Sequence, residues 1–167
     1  MEVYLRKISR KKWPEDGVDF TNNNLIPADP ITRDMNAAEN TFSLWCFSDS
    51  DINTAAITIA LSGPRIDDID ITYLLKEEIE SDGLVLKTTN GRTDYQKYKV
   101  NHYDIVNMNY ESLGKVAMMI INSINNKRVL KFRKKKMMKM IKELIDSGEI
   151  NKGDLKPEIL DQLEKAM

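Results

Sequence analysis

The sequence predicts an α/β or α+β domain: a small mixed sheet packed by two main helices, with a C-terminal helical hairpin. Three observations point there. "TFSLWCF" (41–47) and "IDITYLL" (69–75) are short runs of strand-forming residues. Between them Ile52, Ala55, Ala56 and Ile59 recur at helical spacing, which places apolar side chains on one helix face. Further on, Leu113, Val116, Ala117, Ile120, Ile121 and Ile124 hold the same period for three turns. Strand, helix and strand in close succession form a βαβ unit, so the strands near 41–47 and 69–75 are expected to be parallel, with a right-handed crossover.

The remaining elements follow in order. "EVYLRKI" reads as a first strand with Val3 and Leu5 on one face. The stretch 9–30 is irregular, with Pro14, Gly17, Pro27 and Pro30, and its Trp13, Phe20, Leu25 and Ile26 suggest a loop laid over the core. Asp29 before Pro30 suggests an N-cap and a short helix over 30–35. Gly63 and Pro64 stop the helix that began after Asp51. "KEEIESDG" and "LVLKTT" give another helical turn and another strand, and Asn109 is placed to cap the long helix. A helix over 128–146 ending at Gly148, then one over 156–166 opened by Pro157, complete the chain. The natural division is a globular domain over 1–126 and a basic amphipathic extension over 127–167.

Composition excludes several classes. An apolar fraction of 41% supports a real core and argues against wholesale disorder. One cysteine and one histidine leave no internal disulfide and no cysteine-rich zinc site, and point to a reducing compartment. The N-terminal residues have no signal-peptide core. The longest apolar run, Val116–Ile121, falls far short of the roughly 20 residues of a membrane span. A soluble, cytoplasmic protein is expected. The glycines form neither a dinucleotide-binding fingerprint nor a phosphate-binding loop, and no cofactor is expected.

Candidate chemistry is sparse. His102 lies two residues from Asp104, a base and an orienting carboxylate if the fold supplied a substrate site. Cys46, between aromatics, reads as a packed thiol. The acids at 49–51 and 67–70 could ligate a metal, but they also suit helix starts and strand edges. Neither cluster has calcium-loop spacing. A nuclease-like pairing of Asp82 with Lys87 lacks its second acid. No catalytic or metal-ligating residue is therefore assigned.

Charge is the stronger signal. Residues 14–83 carry fifteen acids against three bases, whereas 127–167 carry twelve bases against seven acids. Such segregation concerns partners rather than fold. Seven bases crowd into 128–140: Arg128, Lys131, Arg133, Lys134, Lys135, Lys136 and Lys139. These are the candidate contacts to a partner or to phosphates. Four consecutive bases, Arg133 to Lys136, cover every side of one helical turn, so that turn cannot be buried against an apolar core. Met137, Met138, Ile141, Leu144 and Ile145 follow as a candidate docking face.

Three functional readings compete. The first is a non-enzymatic protein-interaction subunit, an accessory, adaptor or immunity-type component of a hetero-complex or homo-oligomer. It would dock through its C-terminal helices and acidic middle. The second is a nucleic-acid-associated protein gripping phosphates through 128–139, where lysine and arginine suffice without a motif. The third is a small hydrolase or metal-dependent nuclease. Scarcity of catalytic residue types favours the first.

Overall fold

The structure, a computed structural model, describes residues 1–17 and 26–165. Phe20 and Leu25, and position 166 at the end of the last expected helix, lie outside the described residues. Among the described residues six strands form one sheet: β1 (Glu2–Ile8), β2 (Phe42–Ser48), β3 (Ile69–Leu75), β4 (Val85–Thr89), β5 (His102–Val106) and β6 (Val129–Phe132). Their order is β4-β5-β2-β1-β3-β6, and every neighbouring pair is antiparallel. The helices are α1 (Ala28–Asp34), α2 (Ile52–Ala60), α3 (Lys76–Ser81), α4 (Tyr110–Asn125), α5 (Lys134–Asp146) and α6 (Pro157–Lys165). The chain is a mixed α+β fold.

The βαβ expectation needs one correction. β2 and β3 do run in the same direction with α2 between them, because each pairs antiparallel with β1. They are not neighbours: β1 is inserted between them. The succession of strand, helix and strand suggested parallel neighbours, because a crossover helix normally returns the chain to the adjacent strand. Here two helical layers cover both faces of an antiparallel sheet, and the crossover through α2 passes over β1.

One layer contains α2, α5 and α6. Its core joins Val3, Leu5, Phe47, Ile71 and Phe132 to Ala56, Ile59, Met137, Ile141 and Ile159. The other contains α1, α3 and α4, and joins Tyr4, Ile8, Phe42, Leu44 and Leu74 to Ile79, Val116, Ile120 and Ile124. Trp13 is buried in this second layer and Ile26 packs on it, as a loop laid over the core requires.

The helix expected over 128–146 is also corrected. Residues 129–132 are strand, paired with β3 from Ile69↔Phe132 to Thr72↔Val129. Leu130 and Phe132 pack on one face of the sheet and Val129 on the other, a period of two rather than 3.6. α5 starts only at Lys134. The residues expected as an extension thus supply an edge strand and, through Met137, Ile141, Ile150, Leu155 and Ile159, a large share of one core. Burying side chains of this size fully is worth roughly 1.5–3 kcal/mol each.

Local caps explain the helix ends. Asn109 accepts from the Ser112 backbone N–H at 2.9 Å and opens α4. α1 begins at Ala28, so Asp29 lies in its first turn rather than at its cap. None of Asp49, Ser50 and Asp51 caps α2 through its side chain; Asp49 instead pairs with the N-terminal ammonium at 3.0 Å. Among the described residues no helix is long and apolar enough to cross a membrane.

Candidate functional site

The seven bases of 128–140 fall into distinct environments. Arg128 is buried. Its Nη1 and Nη2 donate to the two carboxylate oxygens of Glu78 at 3.0 and 2.6 Å, so its charge is held inside the chain. Arg133 donates to Asp68 Oδ2 at 2.8 Å, and the Lys134 backbone N–H donates to Asp68 Oδ1 at 2.7 Å. These two hydrogen bonds, the backbone one foremost, hold the Asp68 carboxyl below its ordinary range. Lys131 is exposed on β6 opposite Asp70, and Lys136 lies 5.6 Å from the centroid of the Phe132 ring. Lys139 makes a loose 3.9 Å contact with Glu143. Lys134 and Lys135 have no carboxylate partner for their ammonium groups among the described residues.

The apolar face of α5 points inward. Met137 and Ile141 are fully buried, Met138 is nearly so, and Leu144 and Ile145 pack against the same core. Beside that face runs a groove of about 920 Å³. Met138 and Leu163 supply its apolar surface, and Arg133, Lys134, Lys135, Lys139, Lys142 and Asp68 supply the charge. Three lysines at the start of a helix oppose its macrodipole, which favours acids there. Among the described residues Asp68 is the single carboxylate lining the groove.

A second concavity, about 820 Å³, lies over the sheet at the C-terminal end of α2. Pairing register sets Trp45, His102 and Ser43 on its floor and backs them with their cross-strand partners. Leu5, Trp45, His102 and Thr89 lie opposite one another across four strands, and Ser43, Asp104 and Lys87 form the next row. Cross-strand partners share a face, so these distant residues meet. Ser43 Oγ donates to Asp104 Oδ1 at 2.8 Å, and Thr89 Oγ1 donates to Asp104 Oδ2 at 2.9 Å. Thr89 Oγ1 also lies 2.6 Å from His102 Nδ1. A hydroxyl has one proton, and Thr89 gives its own to the carboxylate, so it accepts from His102 Nδ1–H. That assigns the tautomer and leaves Nε2 as an acceptor, with no partner among the described residues. Burial lowers the His102 pKa, with Asp104 opposing, so the ring is neutral at neutral pH.

Arg6 lies beside this network. Its guanidinium donates to the Asp34 carbonyl at 2.9 Å and the Ser43 carbonyl at 2.6 Å, and sits 4.0 Å from the centroid of the Phe42 ring. Burial pulls its pKa down to about 10 against Asp34 and Asp104, and it stays charged at neutral pH. The loop over Trp45 needs glycine at 91, because a Cβ there would collide with the Trp45 indole and lie 2.9 Å from His102 Cβ.

Three acids of the two clusters are paired within the chain. Asp67 pairs with Arg65 at 2.7 Å, Asp68 with Arg133, and Asp49 with the N-terminus. Among the described residues no group of three or more histidine, cysteine, aspartate or glutamate side chains could hold a metal ion. Cys46 is buried, and burial foremost raises its thiol pKa. Sequence reasoning paired His102 with Asp104 but missed Thr89, which joins them, and the cations Lys7, Arg33 and Arg92 around the cleft. No local signal could have found them, since strand register and loop placement bring them together. Compared with protein-family models, curated proteins and solved structures, the chain matches none.

Proposed function

We propose that the protein is a non-enzymatic interaction subunit, an accessory, adaptor or immunity-type component. It would hold an acidic amphipathic segment of a protein partner in the groove between α5 and α6. The observation that supports this reading is the groove itself. Its apolar surface, Met138 and Leu163, is bordered by Lys134, Lys135, Lys139 and Lys142. An amphipathic helix lays apolar side chains into such a groove and sets its acids against the rim. Lysines in the first turn of α5 cost helix stability, and an acidic partner would offset that cost.

A synthetic peptide tests the reading, with leucines at helical spacing and glutamates on its flanks. It should bind the full chain in fluorescence anisotropy. Binding should weaken when the lysines are reversed in Lys135→Glu/Lys139→Glu/Lys142→Glu, and also when the peptide leucines become serine. Indifference to the leucines would reject an apolar groove. Preferential binding of an oligonucleotide, with affinity falling steeply in salt and insensitive to Met138 and Leu163 substitution, would replace the protein partner with nucleic-acid phosphates.

A further inference from the structure

The cleft over β2 and β5 is separate from the α5–α6 groove and differs in chemistry. Its lining carries five cationic side chains, Arg6, Lys7, Arg33, Arg65 and Arg92, against two carboxylates, Asp34 and Asp67. Asp67 is paired with Arg65, whereas Asp34 accepts from the Ser9 backbone N–H at 2.7 Å, Ser9 Oγ at 2.9 Å and Trp13 Nε1 at 2.7 Å, neutral donors that leave its charge in place. Arg6 is satisfied by carbonyls, which do not cancel its charge. Lys7, Arg33 and Arg92 have no ion-pair partner among the described residues. They come from β1, α1 and the loop after β4, three separate parts of the chain that converge on one concavity.

With Asp104 beneath the floor counted as well, five cations still face three carboxylates, and that excess of positive charge attracts a dianion, strengthened by low-dielectric walls. Its volume lies within the range of small-molecule sites. The floor adds a directional group. Asp104 and Thr89 fix His102 with Nδ1 as donor, so Nε2 offers a lone pair to a ligand hydroxyl. Gly91 lets the backbone of the loop close down on Trp45 and His102, which brings Arg92 to the same cleft. We propose that this cleft binds a small phosphomonoester that also carries hydroxyl groups, of the sugar-phosphate or ribonucleotide kind. Lys7, Arg33 and Arg92 receive the phosphate, and His102 Nε2 accepts from a hydroxyl.

The full chain is titrated with inorganic phosphate, glucose 6-phosphate and AMP, with glucose, adenosine and sulfate as controls, by calorimetry and tryptophan fluorescence. The phosphomonoesters should bind more tightly than inorganic phosphate, and the uncharged controls should not bind. Arg33→Gln and Arg92→Gln should each weaken phosphomonoester binding by about tenfold, as expected for a lost charge-assisted contact. Both arginines are exposed, so these variants should keep the wild-type unfolding midpoint. His102→Gln should weaken glucose 6-phosphate and AMP while leaving inorganic phosphate unchanged, a split that general misfolding would not produce. Absence of phosphomonoester binding at millimolar concentration would overturn the proposal, as would equal binding of sulfate or full retention of binding in the two arginine variants. The lysine-reversal variant of the groove should bind phosphomonoesters as wild type does, which separates this site from the groove.

Discussion

Replacing Glu78 with alanine should unfold this protein more readily than any change at an exposed acid. Glu78 lies at a junction of three elements. Its Oε2 accepts from the Leu75 backbone N–H at 3.1 Å at the start of α3, and its Oε1 accepts from Asn122 Nδ2 of α4 at 3.2 Å. Both oxygens also receive Arg128, just before β6. The Arg128 and Glu78 side chains are only 10% and 22% exposed, and the remaining guanidinium nitrogen, Arg128 Nε, is buried with no hydrogen-bond partner among the described residues. Without Glu78 the Arg128 charge stays buried and uncompensated. Breaking such a pair from one side costs about 3–5 kcal/mol, and the partial exposure of Glu78 places the value near the lower end. A loss of roughly 3 kcal/mol should lower the melting temperature of a chain this size by about 6–12 °C. Equilibrium urea unfolding followed by circular dichroism measures it. Arg128→Met in the Glu78→Ala background should recover part of the loss, with a coupling of about 0.5–3 kcal/mol between residues in direct contact. A single-variant loss below about 1 kcal/mol, as for an exposed pair, would refute the reasoning, and so would strict additivity of the double variant.

Three further outcomes are expected. Truncation after residue 126 removes β6 and the core residues Met137, Ile141, Leu155 and Ile159, so the shortened chain should lose its cooperative unfolding transition; a folded 1–126 fragment would contradict this. His102 is held below its unfolded value, about 6.5, so the unfolded chain binds its proton first as pH falls. Its contribution is therefore lost on acidification through that value, and between pH 7.5 and 5.5 wild type should lose more stability than His102→Asn. Equal slopes for the two in urea titrations would count against it. The Cys46 thiol should react with an aromatic disulfide reagent only on the timescale of unfolding, because burial withholds both access and thiolate; fast labelling of the native protein would be inconsistent with that packing.

Elements with a long or strongly bounded pattern were legible in the sequence. α4 follows its apolar period and its Asn109 cap, and α2 ends at Ala60 with Leu61 as its C-cap, two residues short of Gly63, which is not in the left-handed region. β6 was not legible. Its four residues "VLKF" precede an amphipathic helix, and Leu130 falls in register with Met137 as well as with a strand face. Over so short a run, periods of two and 3.6 cannot be separated, and pairing with β3 decides the matter. The basic segment was legible as charge but not as environment. Arg128 and Lys131 are three residues apart, yet one is buried on Glu78 and the other exposed at the sheet edge.

The sequence by itself determined the mixed class, the main helices and most strands, the packed thiol and the division of charge between middle and C-terminus. These depend on local spacing and composition, which each segment carries within itself. Only the tertiary structure decided that β1 separates β2 from β3, that the methionine face of α5 turns inward, and that the Arg133 turn is held by Asp68. It alone also joined Ser43, Thr89, His102 and Asp104 and gathered Lys7, Arg33 and Arg92 around one cleft. The physical reason is shared. Strand order and register are set by which faces must be covered at once, a condition on the whole chain that no single segment contains.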